Sequence, residues 1–573
     1  MLWWATMLML VVGVVKYGER VWALKCAGSS LSGKNYRWFG SAKLGLTVYN
    51  MDHYTAYPIR EYRDTEALLL MAHRLLDLPK SFLKGPLPKV VGHELFLQLS
   101  GKDIYKVVEI ELSLMHDVFY TKSEVMHAWY GLCIRVFLPL VVAVAFFLFC
   151  QHHRHKQQWE GYNRVDIVVT FILFVGALIL EMVSSLRAML SSWTLAFLVE
   201  PAKPPKNLPS IKKLLSRVIL PLRRLVHAAD WRRKYYWTGS MGQLNLVELC
   251  VHGRASQRSK IAKWLGLEDQ WNVLACSRFI HVPRGVKNLL YEGSWRARCQ
   301  VDTSYPRVPL TLKLGEELLS KCLDDDNDSE CSNSDSAPVP TIEEHILTWH
   351  ISTEIYLDWW KEEQAKPKDQ TRVQPVDEEN ANGGDKEENA NGNDEEENTN
   401  ADDEEENELA EAVRMLSNYM FFLLASRPYM LPPPINRVMY VELCNDIIYT
   451  DQRAWPSGST EALMSYLRGR GPKSFNQRIK RGHQLGTGLI KMEEQRKQEE
   501  SMLRQIGRVW AEMVCYAGHK CGADHHAKSL SNGGELITVA ALLVEHALKE
   551  SAPGPREEYP LRKLSYDHVP DTN

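Results

Sequence analysis

No G-x-S-x-G nucleophile turn, no H-E-x-x-H pair and no kinase signature set occurs in the 573 residues, so the chain offers no familiar catalytic constellation. Cysteine is scarce and scattered. Eleven residues, an odd number, run from Cys26 to Cys521 without a dense framework, which excludes a disulfide-stapled scaffold and fits reduced thiols in a reducing compartment. The apolar N-terminal run lacks a basic flank and a small-residue cleavage site, which argues against a signal peptide. Net charge is almost absent too, at −3. That small total hides two opposed blocks.

What is present in quantity is long apolar sequence, confined to the first third of the chain: Met1–Val15, Val136–Cys150 and Val165–Leu180. A helix rising 1.5 Å per residue needs about 20 residues to cross a hydrocarbon core. Residues 128–150 and 165–186 meet that length, with Arg135 placed to snorkel and Asp166 and Glu181 near the ends. Met1–Val15 falls short by about a turn. Leu186–Val199 is shorter still and reads as interfacial or re-entrant. The short stretch Gln151–Arg164 carries Arg154, Lys156 and Arg164, while Lys16, Arg20, Lys25, Lys34, Arg37, Arg187, Lys203 and Lys206 lie on the other side. That excess assigns 16–127 and everything after 187 to the cytosol. His152, His153 and His155 read as a solvated polar loop.

The acidic block lies between Asp377 and Glu408, where sixteen acids and one Lys give −15 and leave about +12 for the rest. It repeats every nine residues as EENANGGDK, EENANGNDE, EENTNADDE and EEN. A calcium β-roll needs recurring glycines and an apolar anchor per unit, which these repeats lack. With nothing to bury, the tract is expected to be a disordered tether. A second acidic linker is expected at Asp324–Asp335. The basic block runs from Lys203 to Lys234, with ten Lys/Arg against Asp230. Its apolar residues recur at helical spacing, and Lys212, Lys213, Arg217, Arg223 and Arg224 are the expected contacts to anionic lipid. Packing on the chain's own domain is the competing reading for that helix, and Pro221 kinks it in either case. Nucleic acid is not an expected partner, since no reading motif is present.

Two strings imitate binding loops and fail on chemistry. GSSLSGKN has phosphate-loop spacing, but Asn35 stands where the magnesium-binding hydroxyl belongs. DDDNDSECSNSD resembles a calcium loop, but Ser329 replaces the turn glycine. The densest polar cluster is CYAGHKCGADHH, where thiolates and imidazoles are the donors zinc prefers. Cys515, Cys521, His525 and His526 are therefore the candidate metal ligands, with core thiols and surface histidines as the bland alternative.

Longer blocks carry a resemblance: VVKYGERVWALKCA, ELSLMHDVFYTK, YNRVDIVVTFILFVGALILE and WTGSMGQLNLVELC in the first half. LSNYMFFLLASRPYMLP and RVWAEMVCYAGHKCGADHHAKSLSNGGELITVAALLVEH follow in the second. Together they resemble a plant membrane protein family that joins domain of unknown function 4220 to a C-terminal domain of unknown function 594. The resemblance implies an N-terminally shortened member, supplies no mechanism, and marks Gly533, Gly534, Glu535 and His546 alongside the cysteines and His526.

The expected architecture is mainly α: a polytopic helical membrane region, then a cytosolic, mostly helical domain with disordered acidic linkers. Membrane region 1–200 (spans about 1–15, 128–150 and 165–186) precedes a basic juxtamembrane region at 201–323. A linker at 324–340, a short helical segment at 341–363, a disordered repeat at 364–408, a helical module at 409–550 and a tail at 551–573 complete the plan. The expected role is a non-enzymatic scaffold or signalling component, with the bilayer and unidentified proteins as partners. A metal-dependent membrane enzyme is the alternative, ahead of a channel or transporter, for which the spans carry too few ionisable residues.

Overall fold

The computed structural model describes residues 2–31, 65–84, 101–121, 129–155, 164–191, 193–194, 237, 239–255, 268–300, 312–324, 341–366, 392–435, 437–449, 459–469, 477–495 and 501–549. Among these the fold is mainly helical, and the chain divides into two compact units. The first comprises Met1–Thr238 with His526–Gly534, and the second Gly239–His525 with Glu535–Asn573.

In the first unit, α1 (Leu2–Leu31), α2 (Thr65–Leu75), α3 (Asp77–Lys84), α4 (Gly101–Tyr120), α5 (Trp129–His155) and α6 (Arg164–Met189) follow in order. Helix α4 is the pivot of its polar half. Ile104, Val107, Val108, Leu112, Met115 and Phe119 form one buried stripe, and α2 and α3 pack against α4 through Leu68, Ala72 and Leu78. Residues His526–Gly534 belong to this unit. The Tyr120 hydroxyl donates to the Ala527 carbonyl at 2.8 Å, and the Phe82 and His526 rings lie 5.3 Å apart.

Helices α1, α5 and α6 form the apolar half. Small residues Ala5 and Ala145 let the helices approach, and Phe149 and Phe174 fill the space beside them. Val12, Leu138 and Val142 make the next layer. The other faces have no such cover: Trp3, Trp4, Leu10, Val14, Phe137, Leu140, Phe147, Phe171, Ile172, Leu173 and Leu180 are all exposed. Among the described residues one helix, Ile167–Met189, is long and apolar enough to cross a membrane, and only 6% of its most apolar window is buried. Phe137–Gln151 is apolar but shorter. The N-terminal helix is a full 30 residues, since Met1–Val15 continues through Lys16–Leu31. QHHRHK does not start a loop: His152, His153 and His155 lie in the last turns of α5. Nor does Arg135 snorkel. Its Nη1 donates to the Ser184 carbonyl at 3.1 Å and to the Ser184 hydroxyl, and its Nη2 meets Glu19 at 3.3 Å. Past α6 the chain continues with Thr194 buried, and Trp193 donates to Asp117 at 3.4 Å.

The second unit opens with β1 (Ser240–Gln243), α7 (Leu246–Ala255), α8 (Glu268–Cys276), β2 (Arg278–His281), α9 (Arg284–Gln300) and α10 (Lys313–Asp324). The two strands pair antiparallel, Ser240 opposite His281 and Gln243 opposite Arg278. Next come α11 (Ile342–Gln364), α12 (Gly392–Ser426), a 3₁₀ turn (Pro428–Met430), α13 (Val438–Tyr449), α14 (Thr460–Arg468), α15 (Gln477–Glu494), α16 (Met502–Lys520) and α18 (Leu536–Lys549), while α17 (Ala523–Leu530) falls mostly in the first unit. The C-terminal part of α12 is the core, with Val413, Leu416, Tyr419, Met420, Phe421, Phe422 and Leu423 buried. Around it lie β1, α9, α11 and α16. Helix α18 is strongly apolar over Leu536–Leu548, but its side chains are buried in protein.

Two expectations change and one holds. The acidic repeat is not a tether along its whole length, because from Gly392 it is the first half of α12. Glu is a good helix former, acids near a helix N-terminus complement the macrodipole, and propagation from the buried half needs no new nucleus. The helix expected at 341–363 is present as α11 (Ile342–Gln364), a core helix capped by Thr341 and packed along α15, where Gly482 and Gly486 admit Ile351 and Ile355. Finally, the strands and helices from Gly239 to Asp324 belong with the C-terminal helices and not with the first unit. The expected lipid contacts Lys212, Lys213, Arg217, Arg223 and Arg224 lie outside the described residues. So do the linker at 325–340, the stretch 367–391 of the repeat tract and the tail at 551–573.

Candidate functional site

Helix α12 carries two buried polar centres, and each fastens a different part of the second unit. The first is built around Glu535. Gly533 and Gly534 both take positive φ (94° and 81°), a conformation that costs glycine little. The turn they make delivers Glu535 to the start of α18. There the Tyr419 hydroxyl donates to Glu535 Oε2 at 3.2 Å and accepts from the Ile537 N–H at 2.9 Å. Arg427 pairs with the other carboxylate oxygen and lies 5.7 Å from the Phe422 ring centroid. One tyrosine thus satisfies a first-turn amide of α18 and orients the acid that precedes it. The Tyr419 hydroxyl and both Glu535 carboxylate oxygens are engaged, which suits a fastening better than a reaction centre.

The second centre is His350 on α11. Its Nε2 accepts from the Leu246 N–H at 3.1 Å, which puts the ring proton on Nδ1, 2.7 Å from the Ser417 hydroxyl. The ring stacks on Phe421 at 4.9 Å. Burial lowers its pKa to about 3, with the Ser417 contact opposing, so the imidazole is neutral. A Ser–His pair at this distance invites comparison with a nucleophile and its base. Here the histidine donates to the serine, its other nitrogen is occupied, and both residues are fully buried. It cannot serve as a base in that state. Around it, Asn245 caps α7 by accepting from Val247 N–H at 2.8 Å and donates to Asn418 at 3.1 Å. Gln243 donates to the Met415 carbonyl at 3.0 Å. Beside Asn245 and Arg414, half-buried Glu354 has its pKa raised by desolvation. The block QLNLVEL is therefore the strap that binds β1 and α7 to α12.

The predicted metal ligands are not brought together. Cys515 is buried in α16 and Cys521 ends that helix; at about 100° per residue, six positions place them on different faces. Burial pushes both thiols up to about 12. His525 lies against the Tyr429 ring at 5.6 Å, and His526 belongs to the first unit beside Phe82. Among the described residues no group of three or more His, Cys, Asp or Glu is gathered so as to hold a metal ion. His519 instead meets Glu545 at 3.2 Å. Tyr419, Arg427, His350 and Ser417 escaped sequence reading because their partners are 67 to 118 positions away, and no local motif records such pairings.

No curated protein and no solved structure matches this chain. Two families do. Residues 495–548, spanning α16 to α18, match the protein of unknown function DUF594. Residues 1–250, which reach from α1 into α7, match the domain of unknown function DUF4220. The chain therefore carries these two domains of unknown function in the order DUF4220 and then DUF594.

Proposed function

We propose that the protein is a multi-pass membrane scaffold without catalytic activity, whose second unit presents a rigid helical surface to protein partners in the cytosol. The observation that carries the membrane reading is the uncovered apolar surface shared by α1, α5 and α6. A soluble protein rarely exposes contiguous apolar area on that scale. Charged side chains inside the cluster are paired, Lys16 with Glu181 at 2.9 Å and Glu19 with Arg135 at 3.3 Å, as charge at membrane depth must be. Support for the scaffold comes from the two polar centres, which are closed and fully engaged. The basic residues flanking the spans favour a cytosolic second unit, and the block from Lys203 to Lys234 suits an anionic leaflet.

The test has two parts. Alkaline carbonate should leave the full chain in the membrane pellet, and expression in a secretory system should leave the Asn327-Asp328-Ser329 sequon unglycosylated. Release by carbonate, or a mobility shift abolished by Asn327→Gln, overturns the placement. In mild detergent the native protein should migrate as an assembly larger than its own 65.7 kDa and micelle. A lone chain under all mild conditions would sink the scaffold.

A further inference from the structure

The small sheet of the second unit ends in an open edge. Antiparallel partners alternate between pairs that exchange hydrogen bonds and pairs that do not. The Val282 N–H donates to the Gly239 carbonyl at 2.8 Å, and the register sets Met241 opposite Ile280 and Gly242 opposite Phe279. Arg278, Ile280 and Val282 therefore turn their backbone groups toward β1, whereas Phe279 and His281 turn theirs away. Among the described residues no backbone hydrogen bond reaches those outward groups. Both side chains are exposed as well. Phe279 is 60% exposed even though its ring lies 5.6 Å from that of Phe422. In α8, the helix that leads into this strand, Trp271 and Leu274 are 45% and 71% exposed. An exposed edge flanked by apolar side chains is a template for another strand.

We propose that β2 pairs antiparallel with β2 of a second copy of the chain, about a twofold axis through Ile280. In that register Phe279 faces His281 of the second copy, and the outward backbone groups of both exchange hydrogen bonds on each side of the axis. Ile280 faces its own counterpart and Arg278 faces Val282, so no like charges stand directly opposite. Moving the axis to His281 opposes two histidines and sets Phe279 against Pro283, which has no N–H to give. A foreign peptide must first be ordered into a strand, whereas β2 of a second copy already is one.

Two sets of Trp271, Leu274 and Phe279 offer on the order of 700 Å², about half of what a stable soluble dimer buries. Confinement of both copies to one membrane offsets the shortfall by raising their effective concentration. To that extent the inference rests on the membrane reading, and it names one partner of the proposed scaffold.

The full chain in its membrane tests the pairing. Ile280→Cys places two thiols across the axis with their Cα atoms about 4.5 Å apart, within the span of a disulfide. Mild oxidation should link two copies of this variant, with mass spectrometry finding the peptides joined through position 280. Arg278→Cys, whose copies lie about 14 Å apart in this register, should not link. His281→Pro removes an outward N–H and leaves the bonds to β1 in place, so the thermal midpoint should hold. Co-purification of two differently tagged copies should fall about tenfold in that variant. Ile280→Lys sets like charges across the axis and should lower co-purification as well. No link through position 280, or co-purification unchanged in both variants, overturns the pairing. An assembly larger than one chain that holds a single copy sinks this inference and leaves the scaffold, whereas a lone chain sinks both.

Discussion

The hydroxyl of Tyr419 touches two parts of the same helix start, donating to Glu535 Oε2 at 3.2 Å and accepting from the Ile537 N–H at 2.9 Å. Both partners are buried, so neither bond can be replaced by water without rearrangement. Tyr419→Phe is expected to destabilise the protein by about 1–3 kcal/mol, the usual cost of orphaning buried polar groups. Glu535→Ala should cost more, about 3–5 kcal/mol, because it leaves Arg427 without its partner. Denaturant unfolding of the detergent-solubilised protein checks both. An unchanged midpoint for Tyr419→Phe would show that the contact carries no stability.

The ion pair between Glu19 and Arg135 joins α1 to α5, and both side chains are largely buried. Arg135→Ala alone should lower the thermal midpoint strongly, since it also removes the donor to Ser184. Replacing both members, Glu19→Gln with Arg135→Met, should be milder than the sum of the single changes, because a buried charge without its partner is the larger penalty. Additive losses in this double-mutant cycle would mean that the pair is not coupled.

His350 gives a pH dependence whose sign follows from its neutral folded state. Unfolding restores an ordinary imidazole near 6.5, while burial holds the folded group at about 3. Below about 6.5 the unfolded chain therefore binds a proton that the folded chain refuses. Stability contributed here is present above 6.5 and falls as pH drops toward 3, by up to about 1.4 kcal/mol per pH unit. His350→Gln should flatten that slope between about pH 6 and 4. A wild-type curve with the same slope as the variant would exclude His350 as its source.

Gly482 and Gly13 should respond oppositely to alanine. A Cβ at Gly482 meets the branched carbon of Ile351 at 2.8 Å, and the α11 backbone allows little retreat. Gly482→Ala is expected to destabilise despite the gain of about 1 kcal/mol in helix propensity. At Gly13 nothing lies within 4 Å, so Gly13→Ala should be neutral or slightly stabilising. Thermal unfolding of the two variants side by side decides it.

Much of the helical content was legible because apolar spacing and length act locally. The helices expected near 128–150 and 165–186 are present as α5 and α6, each a little longer than the apolar run that announced it. Helix α16 buries Met502, Leu503, Ile506, Val509, Trp510, Met513 and Val514, an apolar stripe at helical spacing. The acidic repeat misled for the opposite reason. Composition says that it buries nothing, but not that it continues a helix whose other half is core.

The zinc reading let spacing in sequence stand in for proximity in space, and among the described residues no group of three or more His, Cys, Asp or Glu is gathered so as to hold a metal ion. Cys515 and Cys521 are near neighbours in the chain and diverge around a helix, whereas Tyr419 and Ile537 are 118 positions apart and share a hydrogen bond. By itself the sequence determined the helical class, the apolar stretches and the two families, since these depend on periodicity, composition and ordered motifs. Only the tertiary structure decided that His350 is neutral, that Arg135 is paired and that Tyr419 fastens α18. Those outcomes depend on burial and on partners from distant segments, and both come into being only when the helices pack.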